Sequence, residues 1–231
     1  MTPSPSGQGT FDPVYEDLPD CLRVFPLSGA LLLPGGRLPL NIFEPRYLNM
    51  VNDSIASDRL IGMIQTLAEG ESAAAAEGQP EMYQVGCVGR IISFSETEDG
   101  RYLITLGGLI RFEVVSELAE KDGFRQVQPS YTRFRADLDE PGGEAEGEID
   151  RAGLLEALHD YFDCRGIQGD WDAIEETPDG HLVTSLAMIC PFAPSEKQAL
   201  LEAMTLPERA ETMTTILQMA AHDAPDAPAR H

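Results

Sequence analysis

The sequence predicts an α+β chain, with a small, partly open β-barrel holding one inserted helix and then a C-terminal α-helical bundle. Three observations carry this. Between residues 21 and 135 apolar residues fall in short, turn-bounded runs, and Ile110, Phe112 and Val114 alternate with Arg111 and Glu113 as on a strand with one buried face. Residues 136–148, ADLDEPGGEAEGE, hold six acids and no base and read as a linker. Beyond it Leu154, Leu155, Leu158, Tyr161 and Phe162 recur at helical spacing.

Taken in order, residues 1–20 read as a disordered leader, and the barrel occupies 21–135. Leu22–Leu27 is a short strand. Leu31–Leu33 follows a Ser28-Gly29 turn, and Pro34-Gly35-Gly36 breaks the chain again. Leu38–Phe43 is extended, and Pro39 assigns it to a sheet edge, where a missing N–H is tolerated. Pro45 suits the first turn of a helix. The apolar stripe Tyr47, Val51 and Ile55 continues that helix until Ser57-Asp58. Leu60–Thr66 is a buried-type strand, and 68–80, AEGESAAAAEGQP, is a low-complexity loop. Strands follow at 84–94, 101–106, 110–116 and 124–134, with Glu98-Asp99-Gly100 as the first hairpin turn.

The bundle spans 149–221. Gly166 ends its first helix, Asp170 caps a short turn holding Trp171, and residues 181–190 are helical until Pro191. Ser195 and Thr205 open the last two helices as caps, each in a capping box. Met213, Ile216, Leu217 and Ala220 form the buried stripe of the last one, and 222–231 is a frayed, disordered tail.

Composition narrows the function. With 16 basic and 39 acidic residues the net charge is -23, so a phosphate backbone is repelled and no nucleic-acid partner is expected. No apolar run is long enough to span a bilayer, and the N-terminus has no signal-peptide pattern, so a cytoplasmic protein without a membrane partner is expected. Four widely spaced cysteines, Cys21, Cys87, Cys164 and Cys190, read as reduced, buried thiols.

Residues 24–51 carry a resemblance. Phe25-Pro26-Leu27, Leu31-Leu32-Leu33-Pro34-Gly35, Pro39-Leu40-Asn41-Ile42-Phe43 and Glu44-Pro45-Arg46-Tyr47 resemble the opening of the Lon substrate-binding (Lon N-terminal) domain family. Leu60-Ile61-Gly62-Met63, Gly107-Gly108-Leu109-Ile110-Arg111-Phe112 and Lys197-Gln198-Ala199-Leu200-Leu201-Glu202 resemble later segments of the family, in its order. The resemblance covers about residues 20–221. It implies a PUA-like β-barrel followed by a helical bundle, and a non-catalytic, proteolysis-associated module that binds unfolded or tagged polypeptides. Such a module serves a separate ATP-dependent protease as an adaptor, or acts as a chaperone-like binder. The chain reaches His231 without an ATPase or peptidase segment, so a stand-alone form is expected. A relative forms part of the substrate receptor cereblon, which keeps a second reading open: a small-molecule or modified-residue receptor using a barrel pocket. An RNA-binding PUA-like module is a third, opposed by charge.

No catalytic residue, cofactor or metal is expected. A Walker A loop needs a lysine after glycine, but Lys121 and Lys197 each follow glutamate. Ser195 and Lys197 are two residues apart and do not face each other on a helix, so they form no Ser–Lys dyad. No G-x-S-x-G elbow accompanies the four histidines. His159 and Cys164 are about 1.4 helical turns apart, on different faces, which argues against a zinc site completed by His181 and Cys190.

The expected substrate-binding residues are Leu31, Leu32, Leu33, Phe43, Glu44 and Arg46. The leucine run is too proline-broken for a central strand, so it is the candidate exposed edge and apolar patch. Glu44 favours a helix N-terminus, and Arg46 can pair with Glu44, with Asp53 or with a carboxylate inside the barrel. Together these two can also rim a peptide groove.

Overall fold

The structure, a computed structural model, describes residues 13–67, 80–139 and 148–222. Six strands form one sheet: β1 (Leu22–Pro26), β2 (Arg37–Ile42), β3 (Leu60–Thr66), β4 (Met82–Glu96), β5 (Tyr102–Lys121) and β6 (Phe124–Ser130). Their order is β2-β5-β4-β3-β1-β6, and β6 also pairs with β5. Pairing therefore runs β5-β4-β3-β1-β6 and back to β5, with β2 outside this ring as an edge. All pairs are antiparallel except β1 with β3, where Val24 lies opposite Gly62. Leu22, Val24, Ile61, Val88, Phe112, Phe124 and Val127 are fully buried or nearly so in the core.

The strand predicted at an edge from Pro39 is β2, which pairs only with β5. The strands expected at 101–106 and 110–116 are instead one continuous strand, β5. The Gly107-Gly108 pair is not a break: the register against β4 shifts there, as in a β-bulge. Gly108 is required for a different reason. Gly35 donates its N–H to the Gly108 carbonyl at 3.0 Å, and Gly108 donates to the Gly36 carbonyl at 2.9 Å. A Cβ on Gly108 would stand 2.0 Å from the Leu33 carbonyl oxygen.

Seven helices complete the described chain: α1 (Pro45–Ile55), α2 (Ala136–Asp139), α3 (Arg151–Arg165), α4 (Trp171–Glu176), α5 (Asp179–Ile189), α6 (Pro194–Glu202) and α7 (Leu206–His222). Pro45 takes the first turn of α1, and Tyr47, Met50 and Val51 are buried under it. Asp150 and Asp170 cap α3 and α4 by accepting from the amides of Gly153 and Ala173. Gly166 ends α3 at φ +65°. Ser195 is not the cap of α6. Pro194 already holds the first helical position, Ala193 precedes it, and the Glu196 carboxylate accepts the Ala193 N–H at 2.7 Å. Thr205 caps α7 as expected, accepting from the Glu208 N–H at 3.3 Å. Helix α3 packs on α7, and α6 lies against β3 and β4.

The sheet and the helices meet through buried polar side chains. Arg111 on β5 forms an ion pair with Asp137 of α2 at 2.8 Å and donates to the carbonyls of Leu201 and Ala203 at the end of α6. Arg209 of α7 donates to the Leu200 and Ala203 carbonyls. Burial, and then the neighbouring Arg111, bring its pKa down to about 10. Lys197 reaches Gly29 and Met188 carbonyls, and Gln65 of β3 reaches the Pro194 carbonyl. Among the described residues only Gln65 Oε1 and Tyr161 Oη are buried side-chain polar atoms without a partner.

The expected leader is described only from residue 13; Tyr15–Asp17 forms a single turn there and Leu18 is buried. The loop 68–80 lies outside the described residues apart from Pro80, and the tail 222–231 apart from His222. Of the expected linker 136–148, the described part is α2, which supplies Asp137, and Glu148. Cys87 and Cys190 are buried, Cys164 is half-buried and Cys21 is exposed. No helix among the described residues is long and apolar enough to cross a membrane.

Candidate functional site

Strand β3 begins at Leu60, opposite Arg90 of β4. The Ile91 N–H then bonds the Arg59 carbonyl at 2.9 Å. From residue 92 to 96, β4 pairs with β5 on one side, and no described strand lies on the other. This leaves a strand edge facing the C-terminal end of α1. Between the two runs a groove of about 430 Å³, lined by Asn52, Ile55, Arg59, Ile91, Ile92, Ser93, Phe94, Glu96 and Tyr102.

The floor is apolar for a local reason. The register slips between Ile91 and Ser93, so a bulge turns both Ile91 and Ile92 to the groove. Phe94 and Tyr102 are diagonal neighbours on β4 and β5, with ring centroids 5.0 Å apart and planes steeply inclined. Ile92 and Phe94 are both exposed. Arg59 holds φ +62°, a left-handed conformation that side chains resist, fixed by its N–H on the Ser54 carbonyl at 2.8 Å. Among the described residues neither its guanidinium nor the Glu96 carboxylate has a hydrogen-bond or ionic partner.

Helix α1 is pinned from the opposite side. Asp53 accepts from Arg23 of β1 and from Lys121 at the end of β5, and Arg23 also holds Asp58 at 2.9 Å. Burial pushes the Asp53 carboxyl up, but the hydrogen bonds and charges of Lys121 and Arg23 outweigh it and hold it below the usual carboxylate range. This clamp fixes the α1 end, and so the position of Ile55 and Arg59.

The expected binding residues separate into two groups. Leu31, Leu32 and Leu33 are 2%, 1% and 0% exposed and form no surface patch. The prolines do stop this run from being a strand, but the loop folds down onto β5 at Gly108, and its side chains complete the core. Phe43, by contrast, is 61% exposed. Glu44 accepts from Arg46 at 2.8 and 3.0 Å, and the Arg46 guanidinium lies 4.6 Å from the Tyr47 ring centre. Arg46 borders a smaller cleft of about 150 Å³ with Leu27, Tyr47 and Phe124, away from the larger groove. The sequence did not single out Ile92, Phe94, Tyr102 and Arg59, which line the groove. The available signal was a hairpin with apolar residues on both faces, Ile91 with Ile92 and Ile104 with Leu103.

Among the described residues Ser195 and Lys197 do not meet. Lys197 is buried on the Gly29 and Met188 carbonyls, while Ser195 is exposed. His159 stacks on Trp171 at 4.9 Å and lies 3.5 Å from Asp163. Among the described residues no group of three or more His, Cys, Asp and Glu is placed to hold a metal.

The family model for the ATP-dependent protease La (LON) substrate-binding domain matches residues 21–219. The chain belongs to this family. It is 28% identical over 209 residues to Lon protease 2 of Myxococcus xanthus, covering 87% of this chain and 24% of that protein. It is 26% identical over 203 residues to the Lon protease of Anaeromyxobacter dehalogenans, covering 87% and 23%. The chain thus spans about a quarter of the length of these relatives. The solved Lon N-terminal domain protein of Xanthomonas campestris shares the fold at TM-score 0.56 and 23% identity, covering 84% of this chain and 97% of that one. The N-terminal domain of Mycobacterium avium complex Lon protease does so at TM-score 0.55 and 13% identity, covering 85% and 97%.

Proposed function

We propose that this substrate-binding domain is a non-catalytic polypeptide-recognition module whose site is the groove between α1 and the β4–β5 hairpin. The observation that carries this is an apolar floor, Ile55, Ile91, Ile92, Phe94 and Tyr102, beside a strand edge that no described strand pairs. An unfolded segment needs both features. Its backbone hydrogen-bonds to the edge, and its side chains bury apolar area in the groove. On this reading the ring of strands is a PUA-like barrel, 21–135, carrying the site, and the helices of 149–221 buttress it. Phe43, Glu44 and Arg46 supply a second rim. The domain works with a separate ATP-dependent protease, or holds clients unfolded as a chaperone does.

The test is fluorescence anisotropy of labelled unfolded polypeptides, with folded forms of the same proteins as controls and no nucleotide. Saturable binding of the unfolded forms alone is expected. The double substitution Ile92→Ser and Phe94→Ser should weaken it about tenfold or more, each side chain burying apolar area in the complex. Wild-type affinity in that variant would place the site elsewhere, and no binding by either protein would remove the reading.

A further inference from the structure

Resting on that reading, we infer that the groove selects the carboxyl terminus of a polypeptide, bound as an added strand antiparallel to β4 with its free α-carboxylate against Arg59. Three features fix this. The unpaired edge at residues 92–96 continues the line of β3, which runs antiparallel to β4 and starts at Leu60. A guest strand laid in that line, antiparallel like β3, must end where β3 begins, beside Arg59. There is room for about five residues before the hairpin turn, roughly 16 Å at strand rise.

The charges select this direction over the reverse. Arg59 and Ile91 mark one end of the groove, and Glu96 lies five residues further along β4 at the other. An antiparallel guest brings its carboxylate to the guanidinium and its upstream residues to Glu96. A parallel guest would bring its N-terminal ammonium to Arg59 and a carboxylate to Glu96, repelled at both ends. In a chain of net charge -23, most arginines of the described surface are neutralised; Arg46, Arg101, Arg125, Arg133, Arg135 and Arg151 each hold a carboxylate. Among the described residues the Arg59 guanidinium is left unpaired, at an apolar groove and in a conformation that arginine resists. The preferred guest has apolar residues at its last positions, for Ile55, Ile92 and Phe94, and a basic residue about five positions upstream, for Glu96.

The experiment uses one N-terminally labelled peptide with three apolar C-terminal residues and one upstream lysine, made as the free acid and as the C-terminal amide. Both are titrated by anisotropy against wild type, Arg59→Gln and Arg59→Lys, whose folding is checked by circular dichroism, and unfolded protein is titrated in parallel. The free acid should bind wild type about tenfold more tightly than the amide, as for one charge-assisted contact. Arg59→Gln should abolish the preference and Arg59→Lys retain much of it. Equal binding of acid and amide by wild type overturns the inference, and if unfolded protein still binds, the broader reading survives. A preference that persists in Arg59→Gln overturns the assignment of the carboxylate to Arg59. Binding of neither peptide nor unfolded protein overturns both.

Discussion

The junction of sheet and helices and the groove at the far end of the β4–β5 hairpin treat the same kinds of side chain in opposite ways. At the junction Arg111 is buried and fully occupied, with one carboxylate and two carbonyls. At the groove Arg59 is exposed and holds nothing among the described residues. The phenylalanines divide in the same way: Phe112 is wholly buried and Phe94 is exposed. Groups that satisfy each other contribute stability, whereas groups left unsatisfied at a groove are available to a guest. The two regions should therefore respond oppositely to substitution.

The largest effect is expected at the junction. Arg111→Ala strands the half-buried Asp137 carboxylate and the α6 carbonyls, and should cost about 3–5 kcal/mol in denaturant unfolding. Polypeptide affinity of the molecules that remain folded should not change. A loss under 1 kcal/mol would mean that water replaces the guanidinium and that the junction is not closed.

Gly108→Ala comes next. Its methyl group meets backbone, not a flexible side chain, so the loop at residues 31–36 must lift off β5. A loss of about 1–3 kcal/mol is expected, with greater exposure of Leu32 and Leu33 to hydrogen exchange or limited proteolysis. An unchanged midpoint of unfolding would show that the loop is loosely held.

Acid tests the clamp that holds the groove end of α1. Asp53 is held below its ordinary pKa in the folded chain, so the folded state binds its proton less readily than the unfolded state. Its contribution is present above about pH 4 and is lost as pH falls through the folded value. Wild type should lose its stability advantage over Asp53→Asn as pH falls below about 4 in parallel denaturant titrations. An advantage independent of pH would remove the ion pairs as its source.

The smallest effect on stability has the reverse sign. Arg59→Gly removes a side chain from a left-handed position and should stabilise the fold by about 1 kcal/mol while weakening carboxylate-bearing guests. If it instead destabilises the fold, the arginine is structural and the contrast between the regions fails.

Elements whose signal is local were legible from residue types. Pro45 started α1, Pro39 marked an edge, Asp170 capped α4 and Gly166 ended α3. Elements decided by partners far along the chain were not. Gly107-Gly108 has turn chemistry, yet β4 holds β5 continuous across it. The Leu31–Leu33 run looked like a surface because prolines break it, but its burial depends on β5, some seventy residues later. The opposite walls of the groove come from α1 and from the hairpin, and their meeting leaves no local pattern. The Arg111 pairing with Asp137 joins two segments read as strand and linker, so nothing adjacent in sequence announced it. Asp122-Gly123 did carry a hairpin signature in its residue types, and both residues have positive φ.

The placement of acceptors for β-strand side chains at the end of α6 sets a timetable for synthesis. A ribosome that has released only the first 135 residues has delivered all six strands, including Val127 to pair with Leu22. It has not delivered Asp137, Pro194, Leu201 or Ala203, so Arg111 and Gln65 have only water to accept their hydrogen bonds. The early half can collapse but cannot close without stranding them. The contacts that close the junction therefore cannot be complete before residue 203 has emerged.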